Sequence, residues 1–298
     1  MLTTPIHYVE PVFRPPSEAR SLILQVTNGC SWNRCAFCEM YTAPQKKFSS
    51  KRMNDIVNEI QKAAEYYPNT QRIFLADGDA IVLSTRRLLE ILNAIQLHFP
   101  NVSRVSSYCL PRNVKNKTID ELKELQNAGL KLIYVGAESG DDELLQLIQK
   151  GESFQSTVSA LEKTQAAGIK SSVMILNGLG GRELSRQHAI NSAKLVNETQ
   201  PHYLATLVVS FPMGDTRFRN HFTNGITLLN QRGLFEEMAL FLEHTKLNQT
   251  IFRSDHASNY LVLKGVLGRD KQTLLEKLKL AIQTPSDMNL RQEWERGL

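Results

Sequence analysis

At 298 residues, 42% of them hydrophobic and 22% charged, the chain has the apolar content of one large core and is too hydrophobic for a disordered protein. A net charge of +5 suits an anionic partner without demanding nucleic acid. No apolar run approaches the roughly 18 residues of a membrane span, and the start lacks the basic-then-apolar pattern of a secretion signal, so a cytoplasmic protein away from the membrane is expected. Of the four cysteines, three fall in the run Cys30-Ser-Trp-Asn-Arg-Cys35-Ala-Phe-Cys38, which fits metal or catalytic use better than a disulfide framework.

In chain order, Pro5, Pro11, Pro15 and Pro16 mark residues 1–20 as an extended arm. The apolar stretch 21–27 predicts the first strand, and the cysteine run follows it as a loop. Lys46, Lys47, Lys51 and Arg52 read as a solvated run, with steering of an anionic substrate as the functional alternative. Ile56, Val57, Ile60, Ala63, Ala64 and Tyr67 recur at helical spacing until Pro68. A strand at 72–76 leads through Asp77-Gly78-Asp79 to a helix capped by Ser84, with Leu88, Ile91, Leu92, Ile95 and Phe99 on one face. The third strand is 104–109, where Cys109 reads as a small buried hydrophobe. Thr118 and Glu121 form a capping box for a helix expected to bury Ile119, Leu122 and Leu125 and to stop at Gly129.

The fourth strand, 130–135, begins at once. Ala128-Gly129-Leu-Lys131 and Ala167-Gly168-Ile-Lys170 repeat the same device, a helix ending on glycine and turning straight into a strand. A fifth strand near 171–176, a helix near 182–199 and a sixth strand at 203–210 complete the series. Helices are then expected near 217–232, 235–246 and 270–283. Residues 21–213 therefore read as an α/β core and 214–298 as a cap on the same domain. Strands alternating with helices require a parallel sheet, either open and doubly wound or an incomplete barrel; periodicity does not choose. Both forms place ligand sites at the carboxyl ends of strands.

The polar constellations fall at those ends. Three thiolates are one ligand short of a structural zinc site, and His7 and His98 are far away in sequence. A four-iron cubane normally takes four cysteines, so three would leave one iron open. Asp77-Gly78-Asp79 is either an ordinary β-to-α turn or an acidic ligand site. Glu138 in Gly-Ala-Glu138-Ser139-Gly140 is either a favourable charge near a helix start or an acceptor for paired hydroxyls. Arg112 is a surface arginine or a carboxylate-binding fork. Gly178 stands in a glycine-rich turn, and Arg253, His256 and Tyr260 share one short polar stretch, with His256 able to act as acid or base.

Taken together, the cysteine run with Phe37 before its last cysteine, the Asp77-Gly78-Asp79 turn and the Glu138-Ser139-Gly140 turn resemble the radical SAM superfamily. The spacing of four residues then two departs from that family's usual three then two, and Asp77 replaces a glycine. The resemblance implies a partial (β/α)6 TIM-like barrel with a helical C-terminal cap. It implies that Cys30, Cys35 and Cys38 hold a [4Fe-4S] cluster whose open iron takes the amino and carboxylate groups of S-adenosylmethionine. By the same resemblance Phe37, Asp77, Gly78, Asp79, Arg112, Glu138, Ser139 and Gly178 surround that cosubstrate, while Arg253, His256 and Tyr260 face the substrate. Reductive cleavage would give a 5′-deoxyadenosyl radical for hydrogen abstraction, with an electron donor such as flavodoxin or ferredoxin. Only Cys109 remains for any second cluster, and no appended region is long enough for a cobalamin domain. The substrate stays open, a small molecule or an RNA; the rival reading is a non-enzymatic iron–sulfur or zinc redox or carrier protein.

Overall fold

In the computed structural model, which describes residues 5–296, the apolar stretch after the prolines becomes β1 (Leu22–Gln25), followed by β2 (Thr27–Asn28), β3 (Ser49–Ser50), α1 (Met53–Tyr66) and β4 (Arg72–Ala76). Next come α2 (Thr85–His98), β5 (Arg104–Cys109), α3 (Pro111–Lys115), α4 (Ile119–Asn127) and β6 (Leu130–Glu138). The second half supplies α5 (Asp142–Leu147), α6 (Phe154–Ala166), β7 (Lys170–Asn177), α7 (Gly181–Thr199) and β8 (Tyr203–Val208). After these stand α8 (Thr216–Arg219), α9 (Gln231–His244), β9 (Thr250–Ser254), β10 (Leu263–Leu267) and α10 (Lys271–Gln283). Eight strands fall in the order β1-β4-β5-β6-β7-β8-β9-β10, and the architecture is α/β with a mostly parallel sheet, as expected. Residues 1–4 of the expected arm and 297–298 of the expected cap lie outside the described residues.

Two compact units make up the chain. The first takes residues up to Asn33, Met40–Val135 and Ser159–Ser171. In it β1 pairs with β4, β4 with β5 and β5 with β6, all parallel, with Leu24 opposite Leu75 and Ile73 opposite Val105. Most positions of β4 and β6 are buried on both faces, as in a sheet covered by helices, and β5 adds the buried Ser106 and Ser107. Ile56, Ile60 and Ala63 of α1 and Leu88, Ile91, Leu92 and Ile95 of α2 are buried along the predicted stripes. Each such large side chain contributes about 1.5–3 kcal/mol by leaving water. Residues near the chain start are fixed by a buried carboxylate: Glu18 accepts from Tyr134 Oη and Arg104 Nη2, each at 2.7 Å, and from Ser21 Oγ.

Two expectations in this unit need correction. Ile119 is exposed, not buried; at 3.6 residues per turn it lies roughly a quarter turn from the middle of the Leu122–Leu125 face. Lys46, taken for part of a solvated run, has no exposed surface and forms an ion pair with Asp77.

The second unit takes Arg34–Glu39, Gly136–Val158 and the chain from Ser172 onward. Here β7–β8 and β8–β9 are parallel and β9–β10 is antiparallel. The C-terminal part therefore adds two strands to the sheet as well as helices. Thr250, Phe252 and Ser254 point inward while Arg253 points out, the alternation of a strand with one face covered. The helix expected at 217–232 is only the four residues of α8. The helix ends at its C-cap Asn220; a turn at Asn224-Gly225, with Gly225 at a left-handed φ of 78°, keeps the chain out of helix until α9 starts afresh where Asn230 Oδ1 accepts from Gly233 N at 2.9 Å. β6 runs three residues past the predicted end, to Glu138.

Candidate functional site

In the first unit the turn after β4 is built around two buried carboxylates. The Asp77 amide donates to Thr27 Oγ1 at 3.1 Å, while the Asp77 Oδ2 accepts from Gly29 N and Gln25 Nε2 at 3.3 Å each and from Lys46 Nζ. Burial pushes its carboxyl above the usual range, opposed by Lys46, the Gly29 amide and Tyr41. Asp79 Oδ1 accepts from Ser31 N at 3.0 Å, and its Oδ2 from Ser31 Oγ and from Asn113 Nδ2 at 3.4 Å. Its carboxyl is also raised by burial, against Ser31, Asn113 and Arg112.

Between them Gly78 has no room for a side chain, since a Cβ would lie 2.8 Å from Tyr41 and 2.9 Å from Cys30 Cβ. Its amide donates to Gly29 O at 3.1 Å. The start of the cysteine run is thus laid directly on the acidic turn. Arg112 is no loose surface residue: its guanidinium stacks 3.9 Å from the centre of the Trp32 ring. Cys30, Asp77, Gly78, Asp79 and Arg112 thus lie close together in this unit.

In the second unit the rest of the cysteine run is anchored by its backbone. Ala36 N donates to Ile148 O at 2.8 Å, and Arg217 donates from Nε to Ala36 O at 3.1 Å and from Nη2 to Cys38 O at 2.7 Å and to Cys35 O. Ala36 and Phe37 pack on Leu144, Leu145 and Ile148, so an apolar cluster seats the loop. Cys35 is buried and Cys38 half-buried.

Glu138, at the end of β6 with a left-handed φ of 65°, pairs through Oε1 with Lys150 Nζ at 3.1 Å. Burial works to lower the Lys150 pKa, but Glu138, Cys35 and Cys38 together hold it above the ordinary lysine value. Gly136 makes the space, because a Cβ there would sit 2.1 Å from Glu138 Oε1. Ser139 turns inward, its hydroxyl 2.8 Å from His188 Nδ1, and Gly140 N donates to Ser192 Oγ at 2.9 Å. Gly178, with φ of 83°, donates its amide to the buried Glu237 Oε1 at 2.6 Å. Burial raises the Glu237 carboxyl, with His188 opposing.

The late polar stretch is occupied by local contacts. Arg253 bonds the Phe252 carbonyl at 2.8 Å, and His256 Nδ1 meets Ser258 Oγ at 2.9 Å. Burial, then Arg291, lowers the His256 pKa. Tyr260 bonds Glu293 and lies under Arg296, 3.8 Å from its ring centre.

Residues missed from sequence include Lys150, Arg217 and the buried role of Lys46. The one local signal was Lys150-Gly151 just past a short helix; nothing near Arg217 in sequence connects it to a loop about 180 residues earlier.

Thiolates are the ligands iron–sulfur clusters take, and basic side chains beside them balance their charge, so the donor set fits such a cluster. Among the described residues no three His, Cys, Asp or Glu groups converge as they would around one bare ion.

A family model described as the Radical SAM superfamily matches residues 24–196. The heme chaperone HemW of Bacillus subtilis is 23% identical over 166 residues, covering 53% of this chain and 43% of that protein. The chain therefore matches less than half the length of that relative. Coproporphyrinogen III oxidase (HemN) from Escherichia coli has a similar fold, with a TM-score of 0.56 at 14% identity over 75% of this chain and 52% of that one. So does the methyltransferase TsrM from Kitasatospora setae, solved with cobalamin and a [4Fe-4S] cluster, with a TM-score of 0.52 at 18% identity over 62% of this chain and 36% of that one. No helix among the described residues is long and apolar enough to cross a membrane.

Proposed function

The chain belongs to the radical SAM superfamily and is an enzyme of that class, and on that premise we propose that Cys30, Cys35 and Cys38 hold a [4Fe-4S] cluster at which S-adenosylmethionine is reductively cleaved. Held by those three cysteines, a cluster would supply the electron for reductive cleavage of the sulfonium, and so the radical needed to abstract hydrogen from a substrate carbon. The observation that carries the reading is the seating of Asp79, a buried carboxylate that accepts from both the amide and the hydroxyl of Ser31, the residue after Cys30.

A carboxylate offers about four acceptor sites. Ser31 and Asn113 use three on Asp79, which leaves one on Oδ1 for an ammonium hydrogen of the methionine end. Arg112, held over the Trp32 ring, is the guanidinium suited by charge and shape to the methionine carboxylate. Glu138 keeps Oε2 for the ribose hydroxyls while Oε1 stays with Lys150. Asp77, which replaces a glycine of the family pattern, serves the fold: it ties Lys46 and Gly29 behind the turn. Arg217 fixes the carbonyls of Cys35, Ala36 and Cys38 and so orients the cysteine loop through its backbone.

An external low-potential donor such as flavodoxin or ferredoxin completes the electron supply. The hydrogen donor is a substrate whose target carbon must be held close and away from water, because positioning is the protein's main contribution to radical chemistry. Anaerobic reconstitution of the wild-type protein should give the broad brown absorption of a cubane with close to four irons per chain. Cys35→Ala should lose it; retention of iron and colour by Cys35→Ala would remove Cys35 from the ligand set.

A further inference from the structure

We propose that Lys150 is a positioning residue for the cosubstrate and sets the charge beside the cysteine loop: it holds Glu138 in its binding orientation and raises the reduction potential of the cluster. This inference rests on the ligand assignment proposed above.

Lysine is rarely buried, and an unpaired ammonium away from water is costly. Yet the Lys150 side chain is 4% exposed, facing a Glu138 side chain that is 12% exposed. The backbone is shaped to bring it in. Gln149 and Gly151 on either side both have left-handed φ values, 53° and 71°, and Lys150 N closes the turn on Leu145 O at 3.0 Å. An ordinary helix end needs one such residue, not two flanking a lysine.

The same turn anchors the cysteine loop, because Ile148 O receives Ala36 N at 2.8 Å. Lys150 Nζ stands 5.9 Å from the centre of the Phe37 ring, between the last two cysteines in sequence. Gly136 completes the enclosure: a Cβ would approach Lys150 Nζ to 3.4 Å as well as overlapping Glu138. Electrostatic influence is reciprocal. Lys150 is a cation held beside the loop that carries Cys35 and Cys38, with its Nζ over the Phe37 ring between them, so it favours negative charge on those thiolates and on whatever they ligate. A fixed cation near a cluster stabilises the added electron and raises the potential. The pairing with Glu138 gives the second role, since an unrestrained carboxylate would lose the orientation that a two-hydroxyl contact needs.

The test uses the reconstituted holoenzyme and three variants, Lys150→Met, Lys150→Arg and the exposed control Lys47→Met. Midpoint potentials come from dithionite titration followed by electron paramagnetic resonance; S-adenosylmethionine affinity comes from anaerobic calorimetry. Lys150→Met should move the potential to a lower value and weaken S-adenosylmethionine binding about tenfold or more, the worth of a lost charge-assisted bond. Lys150→Arg should restore most of both, and Lys47→Met should change neither. If Lys150→Met holds no iron, the proposal stands only if Lys150→Arg holds iron at near the wild-type potential; loss of iron from both, with native circular dichroism, overturns a charge-based role. A Lys150→Met cluster with wild-type potential and affinity overturns the proposal and leaves the cluster assignment intact. A wild-type protein that binds no cluster removes both.

Discussion

Among the described residues, the buried pairs Lys46–Asp77 and Lys150–Glu138 join the same two kinds of group and differ in how they are enclosed. Lys46 and Asp77 have no side-chain exposure, and Asp77 is enclosed by Gln25 and Gly29 as well. Lys150 and Glu138 keep 4% and 12% exposure, and only Oε1 of Glu138 is committed to the pair. A closed pair holds the backbone around it; an open pair holds a side chain ready for something else. Removing one partner from a closed pair strands a charge, whereas the open pair can re-solvate in part.

The contrast predicts stability effects that fall in order. Lys46→Met should destabilise the protein by about 3–5 kcal/mol, because Asp77 is left charged and buried. Urea denaturation would show it as a lower midpoint at unchanged slope. The double variant Lys46→Met, Asp77→Asn should recover much of the loss, and failure to recover would mean that packing of the lysine stem, not its charge, matters.

Asp79→Asn should act in the other direction on the fold. Burial raises the Asp79 carboxyl above its unfolded value. A carboxyl shifted upward adds stability below the ordinary Asp pKa of about 4 and loses it as pH rises through the folded value, so at neutral pH the ionised form is a burden. The amide should therefore leave thermal stability at pH 7 equal to wild type or higher, an advantage that shrinks as pH falls toward about 4. S-adenosylmethionine affinity should drop in the same variant. A protein destabilised at pH 7 by this change would place Asp79 with Asp77 among the structural carboxylates.

Glu138→Gln should have the smallest effect on stability, within about 1 kcal/mol, because the amide oxygen can still accept from Lys150. Its effect should appear in S-adenosylmethionine binding, weaker by about tenfold. Equal affinity would move Glu138 to the same class as the closed pair.

Most of the frame was legible because it is written in local code. Ser84, the Thr118–Glu121 box and the glycines ending helices mark element boundaries, and buried stripes such as Leu88, Ile91, Leu92 and Ile95 have helical period. The cysteine run and the Asp77-Gly78-Asp79 turn were legible for the same reason, each being contiguous. Lys46, Lys150 and Arg217 were not. Whether a basic side chain is buried depends on partners elsewhere in the chain, 31 residues away for Lys46, 12 for Lys150 and about 180 for the carbonyls held by Arg217. Composition places such residues on the surface by default. The region 217–232 failed for a different reason: Phe218 and Ile226 are buried, with Phe222 half-buried against the same cluster, and their spacing imitates one continuous helix.

The central claim is radical generation at the cysteine loop, and its most direct measurement is 5′-deoxyadenosine formed from S-adenosylmethionine by anaerobically reconstituted, dithionite-reduced protein. Wild type should release 5′-deoxyadenosine and methionine, faster when a cell extract containing the substrate is added, and Cys35→Ala should release neither. Equal release from both proteins, or none from a wild-type protein that carries its full complement of iron, would contradict it.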